Sequence, residues 1–266
     1  MLFVGVDEYD APANACLFSG DDEHRNHYEQ VANLFKTQFF VIMKRAMGDV
    51  VQKYWLTGVL PAFRDGISPL AATSVISMLP QFHGLCGLTY DEVNAIAQKY
   101  LGCTHRPDSI SARMRNWYNG YIFCPYRNGG VKLDRLFNPQ LVFTHLHALS
   151  AKVLWLRPDM DADAIPSSIV LAAIKGHGIS DDLLPLLGGD LSVNIKYEFG
   201  PHEVRCTGQD LSLTWSLLYH LGVITHNEEN ALMRIPNAFV RCLVSPILFS
   251  LAASCWHLID NLLACR

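Results

Sequence analysis

The 266-residue sequence contains no Gly-Lys pair, and therefore no GxxxxGK[ST] loop of the kind whose backbone amides wrap phosphates. None of its eight cysteines, at positions 16, 86, 103, 124, 206, 242, 255 and 265, forms a CxxC pair, so zinc-ribbon and dithiol redox chemistry have no support. In a chain of this size without a secretory leader they read as reduced core thiols. Charge is scarce: 17% of residues are charged, 21 basic against 25 acidic, and the net charge of −4 gives no global pull toward nucleic acid or an anionic membrane. The N-terminus has neither the charged region nor the long apolar run of a secretory signal. The apolar stretch Cys242 to Trp256 (CLVSPILFSLAASCW) is shorter than a membrane span and carries Pro246. Repeats, low-complexity segments and the D…ExK spacing of a nuclease are missing too. These absences predict an intracellular protein, cytoplasmic or nuclear, with no membrane partner.

Half of the residues are hydrophobic, enough for a well-buried α/β core. The chain is organised around Met1 to Pro12, MLFVGVDEYDAP. Leu2, Phe3, Val4 and Val6 form an apolar run that ends in Asp7, Glu8 and Asp10, the pattern of a buried parallel strand. In open α/β sheets function sits beyond the carboxyl ends of such strands. A carboxylate pair there matches the Walker B arrangement, in which the first acid holds Mg²⁺ and the second polarises the attacking water.

The polar stretch Ser19 to Gln30 places His24 and His27 three residues apart, with Asp21, Asp22 and Glu23 before them. No third metal ligand is set by the spacing, and acids at the first turn of a helix complement its N-terminus, so the reading is a solvated loop and helix start. A helix follows over Tyr28 to Met47, ended by Gly48-Asp49. Val50 to Leu60 reads as a second buried strand closing on Thr57-Gly58. Thr57 has the hydroxyl of a sensor-1 residue, and Gly58 permits a sharp turn close to a ligand.

Further along, Thr89 and Glu92 form a capping box for a helix that Gly102 ends. A short helix over Ser109 to Trp117 leads into WYNGYIF (Trp117 to Phe123), where Asn119-Gly120 signals a tight turn between aromatics. The aromatics could stack on a base; a packed hairpin is the preferred reading. Arg64, Arg113 and Arg115 are the cations nearest these motifs, and the sequence selects none of them. Asn138-Pro139 opens a helix through Leu149. Asp159 to Asp163 is a polar break, Ile165 to Leu187 is helical in pattern, and Leu191 to Phe199 reads as an exposed strand. Leu211 to Leu221 is an amphipathic helix, Val223 to Ile235 a hairpin around Asn227 to Asn230, and Pro236-Asn237 opens a last helix.

VDEYDAP, TGVLPAFRDGISPLAATSVIS, FHGLCGLTYDEV, WYNGYIF, FNPQLVF and WSLLYHLGVIT…RIPN occur in this order. Together, from about residue 3 to residue 241, they resemble the AAA-ATPase-like family of fungal and bacterial proteins. The resemblance implies an α/β fold: a partial P-loop NTPase core with a parallel sheet over 1–85, a helical lid over 86–158, a winged-helix-like part over 159–241 and a divergent apolar tail over 242–266. It implies ATP and Mg²⁺ as cofactors, with Asp7 as metal ligand, Glu8 as general base and Thr57 as sensor. The missing P-loop makes the chain read as an N-terminally shortened member, deficient in hydrolysis. The alternative is a nucleotide-independent module that binds a protein through the aromatic lid and winged helix. A protein partner is expected on either reading. Nucleic acid is possible in principle for a winged helix, but the paucity of Lys and Arg there gives it no support.

Overall fold

The computed structural model describes residues 2–18, 27–60, 73–102, 107–124, 133–151, 170, 174, 185–197, 199, 203, 210–230 and 232–246. Arg64, the Asp21 to His24 run, the Asp159 to Asp163 break, most of 165–187 and the tail beyond Pro246 lie outside these residues. The chain is mixed α/β. It divides into two compact units, one of Met1–Val75 with Asn194–His220, the other of Ile76–Val193 with Leu221–Arg266.

The first unit begins with strand β1 (Leu2–Val6), continues through helices α1 (Ala11–Leu17), α2 (Tyr28–Leu34) and α3 (Val41–Ala46), and returns in strand β2 (Val51–Leu56). β1 and β2 pair in parallel, with Phe3 opposite Lys53, Val4 opposite Tyr54, Gly5 opposite Trp55 and Val6 opposite Leu56. Two adjacent parallel strands require a crossover, and the three helices supply it. The inner face of the pair, including Tyr54 and Leu56, packs against a small core of Ala13, Cys16, Tyr28 and Phe40.

Three sequence expectations change here. The expected second strand over Val50 to Leu60 is shorter, and residues 57–60 leave the ladder as a turn. Neither strand is buried on both faces: Leu2 and Phe3 are 56% and 67% exposed, and Trp55 is 38% exposed. Apolar runs are ambiguous about burial because packing on the second face depends on distant chain. The expected helix from Tyr28 is present, but Phe35–Phe40 (FKTQFF) is a π-helical segment joining α2 to α3. Its wider i→i+5 turn brings residues five apart to one side. Phe35 and Phe40 accordingly lie with ring centroids 6.4 Å apart, and Phe39 meets Phe40 edge-on at 5.1 Å. Helix α7 (Leu211–His220) also belongs to this unit, and its Ser216 hydroxyl accepts the Lys196 amide at 2.8 Å.

The second unit packs α4 (Tyr90–Leu101), α5 (Pro107–Tyr118) and α6 (Pro139–Ser150) on one another. α4 starts at the capping box: the Glu92 amide donates to Thr89 Oγ1 at 3.3 Å, and the Thr89 amide donates to the Glu92 carboxylate at 2.8 Å. Donation to the Glu92 carboxylate by the Thr89 amide, foremost, and by the Thr89 hydroxyl holds that carboxyl below its usual range. Gly102 ends the helix at φ +69°. α6 opens with Asn138 capping the Leu141 amide at 3.2 Å and Pro139 in its first turn.

α5 runs directly into β3 (Asn119–Tyr121), which pairs antiparallel with β4 (Leu136–Phe137). Asn119-Gly120 is thus inside a strand, where a tight turn was expected. Gly120 sits at φ +131°, and a Cβ there would fall on the Pro236 carbonyl. Close approach of distant backbone, not a local reversal, is the reason for this glycine. Tyr118, Tyr121 and Ile122 are buried, so the aromatic motif is packing, with Trp117 at its edge 36% exposed. Burial pushes the Tyr121 phenol up to about 12, with a bond to the Asn237 side chain acting the other way.

The expected hairpin is β5 (Thr225–His226) against β6 (Met233–Arg234), and residues 238–246 form helix α8, whose Val240 amide donates to Asn237 Oδ1 at 3.0 Å. Leu191 to Phe199 is not a strand in its described part: only Leu191 makes a ladder bridge, to Met233. Five residues further on, the Lys196 amide is taken by a serine hydroxyl rather than a neighbouring strand.

Candidate functional site

The acidic turn after β1 and the Thr57-Gly58 turn after β2 leave the sheet side by side. The Thr57 amide donates to the Val6 carbonyl at 3.0 Å, and the Tyr9 amide donates to the Thr57 carbonyl at 3.0 Å. Parallel pairing therefore places both strand ends at the same edge, as the sequence reading requires. The Thr57 hydroxyl donates to Asp7 Oδ1, and the Glu8 amide donates to the same oxygen at 3.0 Å. Oδ2 of Asp7 takes part in neither bond. Asp7 and Glu8 are exposed, and Thr57 is half-buried.

Glu8 has φ +49°, the one non-glycine residue in the left-handed region among the described residues. A left-handed backbone costs an L-residue with a Cβ roughly 1–2 kcal/mol, so surrounding bonds must hold it there. The Ala11 amide donating to the Glu8 carbonyl at 2.9 Å is one of them. The distortion turns the chain sharply enough to start α1 within five residues of the strand and leaves the Glu8 carboxylate at the surface.

Asp10 behaves differently from its acidic neighbours. It is 1% exposed, and its Oδ2 accepts the Leu60 amide at 2.7 Å, the Val59 amide at 3.0 Å and the Asn14 side-chain amide at 2.7 Å. The Tyr9 hydroxyl donates to the Leu60 carbonyl at 3.2 Å. Gly58 lies against this carboxylate, where a Cβ would sit 2.7 Å from Asp10 Cγ. Sequence reasoning grouped Asp10 with the other acids. Its one available signal is position: an aspartate just before a Pro-containing helix start reads as an N-cap, yet its side chain makes no cap bond and reaches across to the β2 exit instead.

The remaining candidates separate. Arg113 and Arg115 belong to the second unit, the latter with its guanidinium 5.9 Å from the Tyr90 ring centroid. His27 stands at the N-cap of α2. No three His, Cys, Asp or Glu side chains among the described residues are placed to hold a metal ion. What Asp7 offers is oxygen chemistry suited to a hard cation: one exposed carboxylate, held in orientation by its own backbone and by Thr57. Such a lone carboxylate fits Mg²⁺ held mainly by water and phosphate oxygens, and Asp7 is the residue that would hold it.

The second unit contains its own charged group, at the hairpin turn. Glu228, 7% exposed at its side chain, pairs with Arg135 and lies 2.9 Å from Arg234 Nη2. The Arg234 contact is close enough to pair by charge but misaligned for a hydrogen bond. Burial and the neighbouring Arg234 and Arg115 lower the pKa of the Arg135 guanidinium. The Asn227 side chain bonds Asp190 and accepts the Glu229 amide at 2.8 Å. The acidic turn is thereby tied down within its unit.

No helix of the described residues is long and apolar enough to cross a membrane. Compared with family models, curated proteins and solved structures, the chain matches none.

Proposed function

We propose that the chain is an AAA-ATPase-like domain carrying the metal-and-water half of a nucleotide site. On this reading β1 and β2 are adjacent strands of a P-loop NTPase core, and the β5–β6 hairpin with α8 belongs to its winged-helix-like part. The observation that carries it is the joining of Asp7 and Thr57 at the carboxyl ends of adjacent parallel strands. Asp7 would hold Mg²⁺, the metal supplying charge neutralisation at the phosphates; with the phosphates gripped, Glu8 would serve as general base for the attacking water and Thr57, its hydroxyl oriented by Asp7, as sensor. Mg-ATP supplies the electrophilic phosphorus and the charge that makes a carboxylate pair useful. No GxxxxGK[ST] occurs in these 266 residues, so the grip on the β- and γ-phosphates is absent from the half described.

Calorimetric titration with Mg-ATP tests the reading. The expected result is weak, Mg²⁺-dependent binding, with Kd on the order of 1 mM, abolished by Asp7→Ala, and negligible hydrolysis. No binding at millimolar Mg-ATP would remove the nucleotide reading, and turnover that Glu8→Gln abolishes would overturn the expectation of an inactive chain.

A second reading, a nucleotide-independent protein-interaction module, has one observation in its favour. Leu2, Phe3 and Trp55 leave apolar surface of the parallel pair open. The surfaces expected for such a module from the sequence, the aromatic motif and the hairpin, are largely buried or internally paired. Retained partner binding in Asp7→Ala together with loss in Phe3→Ser would favour this reading over the first.

A further inference from the structure

We propose that Asp10 is the positioning residue of the strand-end site, the group that sets the Thr57 hydroxyl against Asp7. The inference rests on the reading of Asp7 and Thr57 as the working pair. It goes beyond that reading by assigning the geometry of the pair to a third, buried acid.

The argument starts from the chain leaving β2. A strand end that turns away from its sheet loses the ladder that would hold its amides. Here Val59 and Leu60 make that turn, and Leu60 is 2% exposed, so water is a poor substitute partner. Both amides find the same atom, Asp10 Oδ2. Oδ2 also takes the Asn14 side-chain amide from one turn into α1, which anchors the carboxylate to the helix as well as to the turn. With the two Tyr9 bonds, to the Thr57 and Leu60 carbonyls, four hydrogen bonds from Tyr9 and Asp10 bracket the segment from Thr57 to Leu60.

Thr57 is the first residue of that bracketed segment. Its side chain reaches Asp7 because its backbone is held at both ends, by Val6 and Tyr9 on one side and by Asp10 through Val59 on the other. Asp7 itself is exposed, and a surface hydroxyl–carboxylate bond competes with water unless the two groups are pre-oriented. Gly58 completes the device: only a residue without a Cβ lets the Asp10 carboxylate sit against the backbone between Thr57 and Val59. The pairing joins residues about fifty positions apart, and so fixes one strand end to the other rather than stabilising a local turn.

The test compares Asp10→Ala, Asp10→Asn and Gly58→Ala with the wild-type chain, first without nucleotide. Hydrogen exchange reads the Val59 and Leu60 amides, and the Thr57 γ-methyl carbon shift reads its rotamer. In Asp10→Ala both amides exchange at least tenfold faster and the Thr57 signal moves to the rotamer-averaged value, while the Phe137 amide in the second unit keeps its protection. Asp10→Asn, whose amide oxygen still accepts, restores part of both signals. Gly58→Ala, which displaces the carboxylate from the other side, reproduces the Asp10→Ala signature and keeps the question open to refutation if Asp10→Ala does not fold. A lowered melting temperature with an unchanged Thr57 rotamer in the folded variants would overturn the proposal and leave Asp10 a structural acid. Mg-ATP binding is then measured on the same proteins. Absence of binding in the wild type defeats the nucleotide reading, whereas the ligand-free signals decide the role of Asp10 separately.

Discussion

Asp7 and Glu228 are both carboxylates at the end of a short strand, and the two units treat them in opposite ways. Glu228 is buried between two arginines, and its turn is closed further by Asn227. Asp7 is exposed and bonded through one oxygen to a threonine and to its neighbour's amide, and among the described residues no arginine pairs with it. A buried charge must be paired, and pairing consumes it. An exposed, oriented charge without a cationic partner keeps its capacity for a ligand. The same contrast holds for backbone. Gly120 adopts positive φ because the Pro236 carbonyl occupies the space of a side chain, whereas Glu8 adopts it at the surface, carrying a full side chain at a cost. Packing explains the positive φ of Gly120, whereas no packed backbone explains that of Glu8.

The sharpest way to break this comparison is Gly120→Ala. The added methyl would meet a carbonyl in a buried strand whose φ already disfavours it, so a loss of about 4 kcal/mol or more is expected from denaturant unfolding. A loss below about 1 kcal/mol would show that the strand shifts freely and that packing does not dictate its backbone.

Glu228→Ala comes next. It leaves Arg135 and Arg234 facing one another in a partly buried place, with an expected loss of about 3–4 kcal/mol. Asp7→Ala is the paired control and should change stability by less than about 0.5 kcal/mol, as surface substitutions do. Equal losses for the two would erase the distinction between a consumed and an available carboxylate.

Acid should reveal buried histidines in both units. Burial pushes His220 and His226 down to about 4. Above pH 6.5 both are neutral whether the chain is folded or not, so they add no pH dependence. Between pH 6.5 and pH 4 the unfolded chain takes up protons that the native state refuses, and stability falls as pH falls, by about 3 kcal/mol for each histidine. Unfolding midpoints at pH 7.5, 5.5 and 4.5 measure this, and His226→Gln should flatten the profile. An unchanged profile in that variant would mean that His226 is protonated in the fold.

These differences also explain what the sequence made legible. The Thr89–Glu92 box, the Asn138-Pro139 start and the β5–β6 hairpin depend on residues within a few positions of one another, and each stands where local chemistry put it. The strand ends were legible for the same reason: an apolar run stopping at Asp7, another at Thr57. Gly120 misled because its partner is Pro236, more than a hundred residues away, and an Asn-Gly pair carries a strong local signal for something else. The π-helical Phe35–Phe40 was hidden because its apolar spacing still passes for a helix. Asp10 was hidden among acids, since only the fold shows that its donors, Val59 and Leu60, come from the turn beyond the other strand.

The smallest expected effect tests the site most directly. If the Glu8 backbone is held in the left-handed region by its surroundings, glycine should relieve it, and Glu8→Gly should stabilise the chain by about 1 kcal/mol. Glu8→Gln keeps the same Cβ and the same φ and should leave stability unchanged, since the Glu8 carboxylate is exposed. Comparing the two separates backbone from charge. A gain for glycine alone means that the residue is kept as glutamate against its own conformational preference, which is the signature of a side chain retained for what it does. No gain would mean that the turn accommodates a Cβ without strain, and Glu8 would then be an ordinary solvated acid at the end of a strand.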